Sequence, residues 1–461
     1  MDHTSIAPQT QADICIHGKI DAFFNRFRMG TLLHRNGIRK RNGHSPRILL
    51  QSIFDLPFIG HNFFRGIVLN HALPFGKDAA YQLLKGTRYN WRRLLLDLGR
   101  RLFVFFNRLT DEQRESVLII DDSLYDRSRS KAVEMLCRVH DHNTGRYVKG
   151  FRMLTVCWSD GVSCLPLDFA LLSSQKAEKR LHPNEKVMDK RCCAYQRRRE
   201  ATQKATVHLP NMLRRILAKG ITARYVLMDS WFTHPATVTK LSKYLPVIGM
   251  VKKTDKIHYG FQGDVIDIKA IYRRLRKKSG RAKILTSAVV SLKNGPSAKL
   301  VFVRDRQKKS WLALLSTDTT LADDEVVRIY GKRWDIEVFF KMAKQHLKLS
   351  KEIQCRDFDA LIAHTSIVFL RYMFLSFECR LSADQRTFGD LFYACCEEMR
   401  DLTYMESLMR ILNLALDQLQ KLRSFCEKTC QAIFFAVVEA AMDCIDLRRH
   451  RSIVFAMNPE S

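Results

Sequence analysis

Apolar residues are spaced as in helices in two parts of this chain and form short strand-like runs in the part between them. From about Ile14 to Leu109 apolar residues recur at helical spacing, and Asn90 suits the N-cap of the helix that follows it. From Leu361 to Leu447 the spacing is helical again, and the segment is rich in Leu, Phe and Cys. The pattern predicts helical regions at both ends and a mixed α/β region between them.

The middle region contains short apolar runs that predict the strands of a sheet. The run Val117–Ser123 includes two carboxylates near its end, as expected of a central strand buried on both faces. Arg146–Ser159 and Ser163–Leu172 follow, joined by a turn at Asp160-Gly161, so the three runs predict an antiparallel meander. Further predictions are strands over Tyr225–Asp229, Pro246–Val251 and Trp311–Ser316, a helix over His234–Tyr244, and a basic, β-rich insertion over Lys252–Lys309.

The net charge of the chain indicates which class of molecule it binds. The 461 residues include 77 Lys and Arg against 47 Asp and Glu, a formal charge of +30. Such a surplus costs self-repulsion unless a polyanion relieves it, which indicates nucleic acid, with an anionic membrane surface as the alternative. No apolar run reaches the roughly 20 residues that span a bilayer, and the segment Met1–Asp21 lacks the apolar core of a signal peptide. We therefore expect a cytoplasmic protein without a membrane contact.

The thirteen cysteines are expected to be reduced and mostly buried, as is usual in a protein of this size that is not secreted. Two spacings suggest zinc, Cys137-x-x-His140-x-His142 and Cys426-x-x-x-Cys430. Neither supplies a second matching pair of ligands, so the sequence does not favour a zinc site.

Four residues share one face of a predicted helix. Tyr330, Arg333, Glu337 and Lys344 lie in Y-G-K-R-W-D-I-E-V-F-F-K-M-A-K, which predicts a single helix. At about 100° per residue their side chains fall within roughly a 60° arc. One carboxylate beside two cations and a phenol suits a metal-bound phosphate, although a solvated helix face with an Arg–Glu pair is the simpler alternative.

Three carboxylates far apart in sequence complete the candidate site. Asp122 ends the first predicted strand, Asp229 ends a later one, and Glu337 lies on the helix after the last strand. They can converge only if the sheet places the two strands side by side, at the edge where ligands gather in open α/β sheets. Converging carboxylates need divalent cations to neutralise them, and two Mg²⁺ ions suit in-line phosphoryl displacement.

These residues resemble the DDE transposases of bacterial insertion sequences, in the "IS-four" branch with the signature Y-x2-R-x3-E-x6-K. The signature matches in residue type and spacing, and Val226–Asp229 resembles the strand of the second aspartate. Ile119–Ser123 resembles the strand of the first aspartate, where the catalytic Asp directly precedes Ser or Thr. That position selects Asp122, with Asp121 as the alternative.

The resemblance implies a fold and roles for the site residues. The fold would be α/β, with a ribonuclease-H-like catalytic core, a β-rich insertion, and helical regions at both ends. Asp122, Asp229 and Glu337 would coordinate two Mg²⁺ ions, for which Mn²⁺ would substitute. Tyr330, Arg333 and Lys344 would hold phosphates of the transposon end.

Two tryptophans match positions where relatives stack on a base flipped out of a hairpin intermediate. They are Trp311, at the start of a predicted strand, and Trp334, beside Arg333. An indole suits such stacking, but a tryptophan heading a buried strand is more often part of the core. The basic runs Arg197–Arg199 and Arg273–Lys278 are expected to follow the DNA backbone, with a solvated face as the alternative.

The predicted function is cut-and-paste transposition of an insertion sequence by a DNA endonuclease that is also a polynucleotidyl transferase. A homodimer would bind the terminal inverted repeats and target DNA in the bacterial nucleoid. Alternatives are a ribonuclease-H-like nuclease and a catalytically silent DNA-binding relative. The predicted division is 1–112 N-terminal helical DNA-binding region, 113–251 first part of the catalytic core, 252–309 β-rich basic insertion, 310–370 second part of the core with the glutamate helix, and 371–461 C-terminal helical region for dimerisation.

Overall fold

The computed structural model describes residues 15–71, 73–109, 114–141, 144–182, 188–279, 281–305, 310–381, 387–421, 427–444 and 454–456. They form a mixed α/β protein built around a large mixed sheet, as the sequence predicts. The chain divides into two compact units. The first comprises Met1–Gly30, Asp55–His61 and Arg386–Ser461, and the second comprises Thr31–Phe54 and Asn62–Gln385.

The strands are, in chain order, β1 (Cys15–His17), β2 (Val117–Asp126), β3 (Cys137–Asp141), β4 (Arg146–Ser159), β5 (Cys164–Leu172), β6 (Tyr225–Met228), β7 (Val247–Val251), β8 (His258–Phe261), β9 (Asp264–Asp267), β10 (Ile284–Ser291), β11 (Ser297–Asp305), β12 (Ser310–Ser316) and β13 (Val454–Ala456). The α-helices are α1 (Lys19–Arg26), α2 (Met29–Arg35), α3 (Pro46–Asp55), α4 (Lys77–Leu84), α5 (Trp91–Asn107), α6 (Cys193–Ala201), α7 (Ala205–Ala218), α8 (Pro235–Leu241), α9 (Ile268–Arg274), α10 (Asp323–Gly331), α11 (Trp334–Gln345), α12 (Phe358–Leu381), α13 (Phe388–Lys421) and α14 (Glu427–Cys444). A π-helical turn covers Phe64–Val68 and a 3₁₀ turn covers Ala177–Lys179.

The first unit is mainly helical. It contains α1, α13, α14 and the short antiparallel pair of β1 with β13. Phe58 packs against Phe392 with ring centroids 5.4 Å apart. The backbone N–H of Lys19 at the start of α1 donates to the Glu398 carboxylate at 2.8 Å, so α13 supplies an acceptor for this helix N-terminus.

The second unit contains an eleven-stranded sheet. The order β3-β4-β2-β6-β7-β12-β11-β10-β8-β9 describes ten of its strands, and β5 pairs with β4. The predicted meander is confirmed: β2, β4 and β5 are antiparallel neighbours, with Gly161 at a φ of +86° in the turn. Both β2–β6 and β6–β7 are parallel pairs, so the strand that contains Asp121 lies beside the strand that ends just before Asp229. The first strand does not end at Asp122 as predicted, because its pairing with β4 continues to Asp126.

The basic segment 252–309 continues this sheet. Its strands β10 and β11 form an antiparallel hairpin, and β11 pairs with β12 over seven residue pairs. On the other side β12 pairs with β7. A ladder of backbone hydrogen bonds therefore runs without interruption from β2 to the tip of this segment.

Two long helices cover the meander. Asn90 is the N-cap predicted for α5, since its side chain accepts a hydrogen bond from the backbone N–H of Arg93 at 3.1 Å. Gly99 lets α5 approach β5, because a Cβ there would lie 2.5 Å from a methyl of Leu167. The helix α12 is long and apolar enough to cross a membrane by length and composition, contrary to the expectation that no segment reaches that length. Its most apolar stretch is entirely buried in the core.

Two buried arginines of α6 form ion pairs with carboxylates of α12 and of the segment before β3. Arg197 and Arg198, expected on a DNA-binding surface, are instead buried and share the carboxylate of Asp359. Arg198 also pairs with Glu134 at 2.6 Å. The prediction for the Arg197–Arg199 run is therefore wrong for its first two members, because buried carboxylates contributed by distant segments neutralise them. Of the three, only Arg199 is exposed.

Candidate active site

Two aspartates lie side by side where the parallel pairing of β2 and β6 ends, although β2 itself continues to Asp126. The last paired residues of β2 and β6 are Ile120 and Met228. The next residue along each strand is Asp121 and Asp229, so both carboxylates project from the same face of the sheet. Their proximity is visible electrostatically, because the negative charge of Asp229 raises the pKa of Asp121.

The strand register distinguishes the two adjacent aspartates. Successive side chains of a strand point to opposite faces, so Asp122 faces away from Asp229. Asp122 forms an ion pair with Arg152 of β4, whose backbone pairs with Leu124 on the same face. Asp121, and not Asp122, therefore lies on the same face of the sheet as Asp229.

Arg333 joins Glu337 to this pair of aspartates. Its Nη1 donates to Asp121 Oδ2 at 3.2 Å, and its Nη2 forms a short ion pair with Glu337. The charge of Glu337 also raises the pKa of Asp121, so the three carboxylates share one neighbourhood. In this arrangement the guanidinium supplies the positive charge between Asp121 and Glu337.

The predicted single helix from Tyr330 to Lys344 is wrong, because it is divided into α10 and α11 at Lys332 and Arg333. The backbone N–H groups of these two residues donate to carbonyls three residues earlier, Ile329 and Tyr330, at 3.1 and 3.0 Å. The chain therefore tightens into a turn at this point. The turn presents the Arg333 guanidinium towards β2 while Glu337 follows on the first turn of α11.

Tyr330 and Lys344 lie at different distances from the carboxylates. The Tyr330 ring lies 5.9 Å from the guanidinium carbon of Arg333, and burial strongly raises the pKa of its phenol. Lys344 instead lines a neighbouring cavity of about 710 Å³ together with Asp122 and Trp231. Tyr330, Arg333 and Glu337 are brought together, whereas Lys344 faces the adjoining cavity.

The two predicted base-stacking tryptophans have unlike surroundings. Trp311 stacks on Tyr272 with ring centroids 4.6 Å apart, and the ammonium of Lys253 lies 4.1 Å from its ring. Phe302 packs edge-on against the same indole. Trp311 is thus half-buried against neighbouring aromatic rings. Trp334 is 62% exposed at the start of α11, next to Arg333.

Burial and mutual repulsion dominate the electrostatics of the aspartates. Burial, with the nearby charge of Asp229, raises the pKa of Asp121 to about 7 from an ordinary value of 3.8, although Arg333 lowers it. Burial likewise raises the pKa of Asp229, against two backbone hydrogen bonds from Trp231 and Phe232 that lower it. Burial and mutual repulsion make these neighbouring carboxylates hard to ionise, and a bound divalent cation would neutralise their charge.

The chemical nature of these side chains suits a divalent cation, but their present positions do not form a metal-binding site. Within the described part of the chain, no three His, Cys, Asp or Glu side chains lie close enough to hold an ion. Asp121, Asp229 and Glu337 offer the oxygen ligands that Mg²⁺ prefers. The Arg333 guanidinium occupies the space where Asp121 and Glu337 approach each other, so it must shift before both can bind an ion.

Sequence reasoning missed two residues beside this cluster. Arg152 lies within electrostatic reach of Asp121 and Asp229, and its guanidinium carbon is 4.9 Å from the ring centroid of Trp231. Trp231, two residues after Asp229, is 44% exposed. An arginine in the middle of an otherwise apolar strand, Phe151–Val156, was the available signal.

The raised pKa of Asp121 predicts a pH-dependent gain for Asp121→Asn. Between the unfolded pKa near 3.8 and the folded pKa of about 7, the folded state binds more protons, so wild-type stability falls as pH rises through this window. The neutral amide is free of this penalty. We expect the metal-free variant to melt above the wild type by an amount that grows from about pH 4 to about pH 7 and then stays constant. An equal offset at pH 4.5 and pH 8 in calorimetry would contradict the assignment.

Comparison with known proteins identifies the family of this chain. No curated protein matches the chain. Among solved structures, the Drosophila P element transposase strand transfer complex contains a chain that matches at 10% identity with a TM-score of 0.19, over 55% of this chain and 54% of that one. This chain thus spans about half the length of that relative.

A family model described as "DDE superfamily endonuclease" matches residues 66–309, more than half of the chain. The matched range contains Asp121 and Asp229 and ends before Glu337. Endonucleases of this superfamily generally use divalent metal ions. With two aspartates at adjacent strand ends inside the matched range, this chain belongs to the DDE superfamily of endonucleases.

Proposed function

We propose that this protein is a DNA transposase of the IS-four branch, which excises its element and joins it to target DNA. The observation that carries the proposal is the convergence of Asp121, Asp229 and Glu337 through the side-by-side strands β2 and β6 and the helix α11. The Y-R-E-K spacing supports this branch, and Arg333 and Glu337 of that signature contact each other.

The strand order supports a ribonuclease-H-like core. Read from one edge, β5-β4-β2-β6-β7 begins with an antiparallel meander and continues with β6 and β7, which run parallel to β2. Asp121 and Asp229 directly follow the last paired residues of β2 and β6, in the middle of the sheet, where acidic ligands can converge. In this proposal the segment 252–309 is an insertion between the second aspartate and the glutamate.

Two Mg²⁺ ions, or Mn²⁺ in their place, are proposed as the cofactor, with Asp121, Asp229 and Glu337 as ligands. When bound, such ions make water or a 3′-hydroxyl a better nucleophile and stabilise the leaving oxygen of an in-line displacement. The side chain of Arg333 would exchange its carboxylate partners for a DNA phosphate, which a guanidinium binds with two parallel hydrogen bonds.

The remaining residues would bind and orient the DNA. Tyr330 supports the Arg333 guanidinium with its ring, and Lys344 supplies a charge to the strand in the adjoining cavity. Trp334, largely exposed beside Arg333, remains the better candidate of the two predicted tryptophans for stacking on an unpaired base.

The organisation of the whole protein is part of the same proposal. Region 1–112 would bind the terminal inverted repeats, and region 371–461 would hold two copies together as a homodimer on paired DNA ends. Regions 113–251 and 310–370 would form the core. Such a protein would act in the cytoplasm, on the bacterial nucleoid.

Strand transfer is the test that separates the proposal from its alternatives. The substrate would be DNA fragments that contain the flanks of the reading frame, mixed with a target plasmid and Mg²⁺. We expect cleavage at the element ends and covalent joining of the new 3′ ends to the target. Cleavage without joining would indicate a plain nuclease, and binding without cleavage would indicate a silent DNA-binding relative.

A further inference from the structure

Three neighbouring cavities extend from the candidate active site along the second unit. The 710 Å³ cavity and a second cavity of about 450 Å³ share Arg152 and Trp231 in their walls. The second cavity and a third of about 1020 Å³ share His234. The three are therefore neighbours in a series that begins at the cavity lined by Asp122 and Lys344 and ends at residues of β8, β9 and β10.

The third cavity, here named the lysine groove, is lined by cations without counter-charges. Lys240, Lys243, Lys256 and Lys293 line it, all four are exposed, and its lining contains no Asp or Glu. None of the carboxylates in the described ranges forms an ion pair with these ammonium groups. The 710 Å³ cavity differs, since Asp122, Asp126 and Asp141 line it together with its cations.

Close packing holds the backbone segments that carry three of the four lysines. Lys240 and Lys243 lie on and just after α8, and Lys293 lies in the β10–β11 turn. Gly295 of this turn fits directly against α8, because a Cβ at that position would lie 2.1 Å from the Thr239 hydroxyl. This close contact fixes the backbone of α8 relative to the turn that carries Lys293.

We propose that the lysine groove binds the phosphate backbone of double-stranded DNA that continues away from the carboxylate cluster, an inference that rests on the proposed function. Four unpaired ammonium groups repel one another until a polyanion neutralises them. Lysines act as mobile point charges on phosphates and read no bases, so the contact adds affinity and salt dependence without sequence preference. The connection through His234, Trp231 and Arg152 makes DNA the favoured polyanion over an acidic protein.

The test is a salt titration of DNA binding by the full-length protein in EDTA. The groove variant is Lys240→Gln/Lys243→Gln/Lys256→Gln/Lys293→Gln. The control variant, Lys131→Gln/Lys176→Gln/Lys190→Gln/Lys269→Gln, changes the same number of exposed charges outside the groove. Affinity for a fluorescent duplex is measured by anisotropy across a series of salt concentrations, with melting temperatures to verify folding.

Each phosphate contact contributes about 0.9 to the slope of log affinity against log salt, so the groove variant should lose roughly 3 to 4 from this slope. At low salt we expect at least about tenfold weaker binding than for the control. Equal slopes for the two variants would overturn the proposal. So would a groove variant that loses binding to RNA, to anionic vesicles or to an acidic protein while its duplex DNA binding matches the control.

A failure of the groove proposal can be distinguished experimentally from a failure of the proposed function. Wild-type protein that cleaves and joins DNA, with groove and control variants alike in binding, would overturn the groove alone. A protein whose DNA binding depends on the groove, but which never cleaves, would overturn the catalytic proposal alone.

Discussion

We expect Asp121→Asn to abolish DNA cleavage while Asp122→Asn leaves it measurable. Asp121 shares its face of the sheet with Asp229 and is bridged by Arg333 to Glu337, so the amide removes a charge that a cation needs. The loss should exceed the roughly 10–100-fold that removal of an outer-shell partner costs. The Asp122 side chain pairs with Arg152, and its backbone N–H, which Asp122→Asn retains, donates to Asp121, so this variant should stay within that range.

Both variants need a binding measurement beside the cleavage assay. Duplex DNA binding in EDTA should be close to wild type for each, because neither change removes a positive charge. The reverse ranking, with Asp122→Asn inactive and Asp121→Asn active, would restore the assignment made from the sequence. Loss of DNA binding in both variants would show that the effect is on folding.

Arg371→Met should destabilise the second unit by about 3–5 kcal/mol, the cost of breaking a buried ion pair from one side. Arg371 is fully buried, and its guanidinium donates to both carboxylate oxygens of Glu352 at 3.0 Å. It also donates to the backbone carbonyl of Leu347 at 3.1 Å. Methionine fills much of the volume but leaves an ionised Glu352 without its main partner. Urea unfolding monitored by tryptophan fluorescence measures the loss.

A double variant separates charge from packing. Glu352→Gln in the Arg371→Met background removes the orphaned charge and should recover part of the lost stability. The single change Leu391→Ala in the first unit is a size control without a buried charge. Arg371→Met within about 1 kcal/mol of wild type would contradict the assigned role, since surface substitutions fall in that range.

The sequence predicts the sheet well because its strands carry local signals. Uninterrupted apolar runs, the Asp160-Gly161 turn and the Asn90 cap are each decided by neighbours along the chain, and the structure contains all of them. The proximity of the two acidic strand ends could also be predicted, since parallel strands in one sheet end at the same edge. Which of two adjacent aspartates faces that edge depends on register, and a one-residue difference reverses the side chain.

Other features depend on contacts that no local pattern encodes. Arg197 and Arg198 belong to a basic run, yet Asp359 and Glu134, supplied by other segments, bury and neutralise them. The turn that divides α10 from α11 occurs in residues with ordinary helix propensity, where Arg333 reaches Asp121. The positions of Arg152 and Trp231 depend on how β4 and the loop after β6 pack together.

The ladder between β12 and β11 limits how this protein can be shortened. Excision of residues 252–309 would strip β12 of a partner along its entire length and leave a bare row of amide and carbonyl groups. Such an exposed strand invites self-association, so a trimmed variant would be expected to aggregate even with every carboxylate intact. In any smaller homologue that lacks the segment, another element must shield that border.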